Sequence, residues 1–249
     1  MRSVTGPELS VAAGMLGHVL TAVLDLVLPP ACAGCGAKGA SCCPRCFAAL
    51  TARPAGRGPR PGPPGLPECW SAASYEGVVR TMIVAYKERG AVALAGVLAE
   101  AVTRTVLVAV GLVAVGPPGE WAAGRFAVVP VPSARRSVRG RGHDPVGRLA
   151  VLVADRLRAR GLAAEAWAGL RQAGPVADQA GLSRAERAAN LAGALQVVPA
   201  AKGPPARCAL LLDDIVTTGA TLAEAARALR AAGVVVPLAA TVGATRRRS

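Results

Sequence analysis

The chain has 249 residues, enough to bury one good core and a small added module. A hydrophobic fraction of 52% excludes a disordered protein, and an aromatic fraction of 3% leaves little with which to stack nucleic-acid bases. The formal net charge of +14 points to anionic partners, and phosphoesters, nucleic acid and acidic lipid all qualify.

The first apolar stretch, "VAAGMLGHVLTAVLDLVLPP", places Leu16, Val19, Leu20, Val23, Leu24 and Val27 at helical spacing and carries His18 and Asp25. This pattern predicts an amphipathic helix packing on the rest of the chain, with no membrane insertion, and a cytoplasmic protein. Next, "CAGCGAKGASCCPRC" sets Cys32 and Cys35, then Cys43 and Cys46, as two C-x-x-C pairs among seven cysteines. Thiolates so clustered favour a closed, structural Zn²⁺ site and a reducing compartment over a disulfide framework. Cys42 is an alternative to Cys43 as third ligand, and free buried cysteines are the competing, less favoured reading. Residues 1–50 therefore form an N-terminal helix and zinc-ribbon module. Residues 51–69, crowded with Pro and Gly, read as a linker or extended wrap, and residues 70–249 as the main domain.

Within that domain "YEGVVRTMIVAYKERG" predicts a helix stopped by Gly90, and "AVALAGVLAEAVTRTVLVAVG" a second, very apolar helix that is most simply buried. "RFAVVPVP" reads as a strand, "DPVGRLAVLVADRLRARG" as a helix, and "GALQVV" and "CALLLDD" as strands. "GATLAEAARALRAAG" is helical with Gly233 as its stop, and "VVVPLAATVG" is a last strand. Such alternation predicts an α/β fold with a mainly parallel sheet covered by helices on both faces. Cys69 and Cys208 sit in apolar surroundings and read as structural.

The chemistry concentrates in "ALLLDDIVTTGATL". Ligands of parallel sheets bind beyond the strands' carboxyl ends, and Asp213 and Asp214 fall at such an end. Thr217, Thr218 and Thr221, a flexible Gly219 and the free N–H groups of a starting helix make a cradle for phosphate. The two carboxylates can accept hydrogen bonds from a vicinal diol, so the ligand inferred is a ribose carrying a 5-phosphate. Helix capping by Asp and Thr is the competing reading. A P-loop is excluded because no lysine follows a glycine in the required G-x-x-x-x-G-K-[ST] pattern, and no G-x-G-x-x-G follows a strand.

This stretch resembles the phosphoribosyl pyrophosphate (PRPP) signature of type I phosphoribosyltransferases. With "LVLPPACAGCG", "CCPRC", "YEGVVRTMIVAYKERG", "VVPVPSARRSVRGRGHDP" and "QAGLSRAERAANLAGAL", the resemblance extends over nearly the whole chain to the ComF family, a zinc ribbon joined to such a domain. It implies that Asp213 and Asp214 hold the ribose hydroxyls and that Ile215, Val216, Thr217, Thr218, Gly219, Ala220 and Thr221 complete the PRPP site around the 5-phosphate. It implies a pyrophosphate loop at Val131, Pro132, Ser133, Ala134, Arg135 and Arg136, although solvated surface arginines would read the same way. The segment with Gln179, Arg187 and Asn190 resembles the mobile loop that closes over PRPP, while Ser183 and Glu186 there also form a helix capping box. Lys87 matches a family lysine, and equally complements a helix dipole. "RGHDP" departs from the family's "RGFNQ" at His143, Asp144 and Pro145.

What the resemblance implies is a phosphoribosyltransferase using PRPP with Mg²⁺ and an unknown nitrogen acceptor. The alternative is a protein that binds PRPP without turnover, as a sensor or as a factor associated with single-stranded DNA or DNA-uptake proteins in competence or recombination. The basic stretches "RRSVRGRG" and Arg246 to Arg248 motivate the DNA reading.

Overall fold

The structure, a computed structural model, describes residues 30–113, 125–133, 144–173, 193–198 and 204–245. The expected N-terminal helix, Ala134, Arg135, Arg136, His143, Gln179, Ser183, Glu186, Arg187, Asn190 and the Arg246–Arg248 tail lie outside the described residues. In chain order the elements are α1 (Pro44–Thr51), β1 (Ala55–Gly56), β2 (Glu68–Ser74), α2 (Gly77–Glu88), α3 (Ala95–Val113), β3 (Arg125–Pro130) and α4 (Pro145–Arg158). They continue with β4 (Ala163–Ala166), β5 (Leu170–Gln172), β6 (Leu195–Val197), β7 (Cys208–Val216), α5 (Ala220–Ala231) and β8 (Val235–Ala244).

Six strands form one sheet in the order β1-β2-β8-β7-β3-β4, parallel throughout except for β1, which runs antiparallel to β2 at the edge. The fold is thus α/β with a mostly parallel sheet flanked by helices. Strands buried on both faces need apolar residues on both, and the side-chain alternation divides them between two cores. Phe126, Val128, Leu210, Leu212, Leu238 and Ala240 join the core under α2, α3 and α4. Ala127, Val129, Leu211, Ala239 and Ala244 join the one under α5. Between Cys208 and Leu210 the β7–β8 register shifts, and this irregularity accommodates Pro237 in a strand that has partners on both sides.

Helix α3, with the turn before it, has the length and apolarity of a membrane span over Val92–Gly111. Packing accounts for the apolarity: Leu98, Ala99, Val102, Val106 and Ala109 are fully buried in the core shared with the sheet and α4. Helix α2 stops at Gly90, whose φ of 68° suits glycine, and α5 stops at Gly233 in the same way at 79°.

Among the described residues of the cysteine module, Cys32, Cys46 and Leu50 pack in the same apolar cluster as Trp70, Met82 and Leu98. The Pro/Gly-rich stretch holds β1 and the start of β2, and it lies on the sheet and α5. The Arg230 guanidinium donates to Gly65 O, and Arg57 Nη1 donates to Ser71 O at 2.8 Å. The strand at Leu195–Val197 pairs antiparallel with β5 in a separate two-stranded sheet. Glu224 of α5 holds this hairpin by accepting from Leu195 N at 3.1 Å.

Candidate functional site

Strand order decides where a ligand can sit. From β3 the chain crosses over to β4 on one side, and from β7 it crosses to β8 on the other, so the order reverses between the adjacent strands β3 and β7. At such a reversal the connections diverge and leave a crevice beyond the carboxyl ends of the strands. A cavity of about 480 Å³ lies there, lined by Val131, Pro132 and Ser133 after β3, by Asp213, Asp214, Ile215, Thr217 and Thr221, and by Tyr75 and Lys87. The fold therefore brings the described part of the expected diphosphate loop to the Asp-Asp-Thr stretch.

The two carboxylates differ. Asp213 Oδ1 accepts from the Asp214 backbone N–H at 2.8 Å. Burial, and next the neighbouring Asp214 charge, push the Asp213 carboxyl well above the usual aspartate range. Asp214 is 5% exposed, and its Oδ2 has no hydrogen bond of good geometry among the described residues. It lies 2.6 Å from Lys87 Nζ, and this ion pair compensates its charge. Lys87 also lies in the last turn of α2, where a cation complements the helix dipole.

The capping reading does not account for the acids. Gly219 stands at the N-cap of α5 with φ 76°, and no side chain caps the helix. Thr218 Oγ1 accepts from Ala220 N at 3.4 Å, a marginal bond. A Cβ on Gly219 would meet Leu66 Cδ2 at 2.9 Å and Pro59 Cγ at 3.1 Å, so the wrap presses on the turn from behind and leaves its other face to the cavity. Sequence reasoning singled out none of Tyr75, Leu66 and Pro59: Tyr75 only opens the quoted helical stretch, and all three reach the site through folding. Of the departing "RGHDP" residues, Asp144 caps α4 by accepting from Gly147 N at 3.1 Å, and Pro145 occupies the first turn.

The second constellation is the cysteine cluster. The Sγ atoms of Cys32, Cys35, Cys43 and Cys46 all lie within 4.8 Å of one another, and the Cys35–Cys43 pair is 3.7 Å apart. Tetrahedral Zn–S bonds of ~2.3 Å require sulfur–sulfur spacings of about 3.8 Å, so these four can hold a structural metal such as zinc. The Cys43 backbone N–H donates to Cys32 Sγ at 3.3 Å and is the main cause that holds the Cys32 thiol down at about 6. Burial, and then its three sulfur neighbours, push Cys46 upward. Cys42 stands apart from the four, and burial pushes its thiol up to about 11, so the geometry selects Cys43. Gly34 makes the approach possible: a Cβ there would lie 2.8 Å from Cys46 Sγ. Cys69 is buried, donates to Pro67 O at 3.3 Å and is pushed by burial up to about 12, as a structural thiol should be.

Compared with known proteins, the chain matches no family model and no curated protein.

Proposed function

We propose that this protein binds PRPP through a type I phosphoribosyltransferase-like domain of the ComF kind and transfers its phosphoribosyl group to a nitrogen acceptor. One observation carries the reading. The adjacent carboxylates Asp213 and Asp214 line the crevice where the sheet order reverses, and a helix N-terminus without a side-chain cap starts six residues after Asp214. A ribose diol donates to such carboxylates, and the 5-phosphate accepts from the N–H groups and hydroxyls of the Thr217–Thr221 turn.

The chain's own residues bind and orient. Asp213 and Asp214 fix the ribose, the turn fixes the 5-phosphate, and Val131, Pro132 and Ser133 line the crevice where the diphosphate would lie. The bond from the anomeric carbon to pyrophosphate oxygen breaks through an oxocarbenium-like state, and a bond from that carbon to the acceptor nitrogen forms. Positioning and charge neutralisation dominate such a reaction, and the site needs no protein nucleophile. Bound with the diphosphate, Mg²⁺ would neutralise charge on the leaving group. Asp213 and Asp214 are the carboxylates of the lining that would hold that cation with the ligand. In the cysteine module the metal inferred is Zn²⁺, and four thiolates suit the reducing cytoplasm.

The test is calorimetric titration of PRPP with Mg²⁺ into wild type and the Asp213→Asn/Asp214→Asn variant, followed by a pyrophosphate-release screen across nucleobases, amines and ammonia. Binding by wild type, weakened at least about a hundredfold in the variant, is expected from two lost charge-assisted interactions. Release with some acceptor establishes the transferase. Binding without release favours the sensor or DNA-associated reading, and no binding removes the central proposal.

A further inference from the structure

Helix α2 touches both constellations. At its middle, Met82 is fully buried, and its Cγ lies 3.3 Å from the Cβ position of Gly34, against the cysteine knuckle. A turn and a half later, Lys87 places its Nζ 2.6 Å from Asp214 Oδ2 in the pocket. The intervening residues leave little slack. Ile83 Cδ1 comes within 3.1 Å of the Cβ position of Gly243 at the end of β8. Tyr86, which burial keeps protonated by pushing its hydroxyl up to about 12, donates to Pro145 O at 2.9 Å.

Short, packed helices move as units, so a displacement at Met82 is carried to Lys87 rather than absorbed between them. A bound metal would tie the four sulfurs to one centre, whereas without it they are held only by packing and by the Cys43 N–H bond to Cys32 Sγ. Gly34 lies between Cys46 and Met82, so relaxation of the sulfurs acts directly on α2.

We propose that α2 is a strut through which the metal-bound knuckle fixes Lys87 in the pocket, so that metal binding and PRPP binding strengthen one another. Lys87 is a positioning residue in this scheme: it balances Asp214 so that the carboxylate is held at the height of the ribose. The inference rests on the PRPP reading of the pocket, and it adds that the cysteine module, some distance along the chain, regulates that pocket.

Coupling of this kind is reciprocal, and its size is ordinarily between about five- and a hundredfold. The experiment uses the full chain loaded with Zn²⁺, wild type and Lys87→Met, which keeps the apolar stem. PRPP with Mg²⁺ is titrated calorimetrically into both. Zinc affinity is then measured by competition with a chromophoric chelator, without PRPP and with PRPP at the same multiple of each protein's own Kd. Equal occupancy removes any tightening that arises only because a ligand favours the folded state. Circular dichroism of the metal-free protein accompanies the competition.

Lys87→Met is expected to weaken PRPP about tenfold or more. Zinc should bind at least about fivefold tighter in wild type when PRPP is present, with that gain lost in Lys87→Met. Equal tightening in both proteins, or none in wild type that does bind PRPP, overturns the strut and leaves the pocket reading intact. Failure of loaded wild type to bind PRPP overturns both.

Discussion

The cysteine knuckle and the crevice at the β3–β7 reversal both gather groups that the interior does not tolerate as charges, and they resolve the conflict differently. In the knuckle the ligand set is complete within the chain: four sulfurs converge, a backbone N–H supports Cys32, and a glycine permits the close approach. The crevice is left incomplete. Among the described residues Asp214 rests on a single cation, Lys87, the Asp213 carboxyl is pushed upward by burial, and the helix beyond them lacks a side-chain cap. A closed set of ligands serves structure, whereas an incomplete set at an open crevice is what a transient ligand requires.

Breaking the knuckle should have the largest effect on stability. Cys43→Ser is expected to abolish stoichiometric zinc and lower Tm by roughly 10 °C or more, because structural zinc contributes many kcal/mol and each is worth about 2–4 °C at this size. Cys42→Ser should leave the metal content unchanged and Tm nearly so, as checked by elemental analysis and calorimetric melting. Loss of zinc in Cys42→Ser would refute the ligand set.

A smaller loss is expected on the crevice side from Gly219→Ala. Its φ of 76° costs an L-residue about 1–3 kcal/mol, and the new methyl meets Leu66 and Pro59. Chemical denaturation should show that loss with zinc content unchanged, and PRPP affinity should fall with the displaced turn.

The smallest effect sharpens the contrast by its sign. Because the Asp213 carboxyl is raised in the folded protein, its proton is held more tightly there than in the unfolded chain, where it titrates near about 3.9. Its contribution to stability is therefore lost as pH rises from that value through the raised native one. Glu100 and Glu224 oppose this trend: burial acts against each, but their arginine partners prevail and hold both carboxyls low, so their contribution is lost as pH falls. The difference in Tm between Asp213→Asn and wild type isolates the aspartate. In the ligand-free protein it should grow in favour of the variant as pH rises across that window, and a difference independent of pH would show that Asp213 is not strained by its charge.

Much of this was legible from residues. Periodicity and stop glycines placed α2, α3, α4 and α5, and the apolar runs placed β3, β7 and β8, because burial on one or both faces leaves a pattern in the chain. The strands β2 and β4 were not legible: "ECWSAAS" and "AAEA" have weak strand propensity and become strands because β8 and β3 offer them a paired edge.

The sequence by itself determined the alternating α/β pattern, the paired acids at a strand end and the four-cysteine spacing, since each depends on residues close together in the chain. Only the tertiary structure decided which cysteine completes the four, that β3 and β7 lie side by side with their crossovers diverging, and that Lys87 meets Asp214. It also brought Pro59 and Leu66 behind Gly219. Those relations join residues far apart in sequence, and packing of the two cores, which no local pattern encodes, is what brings them together.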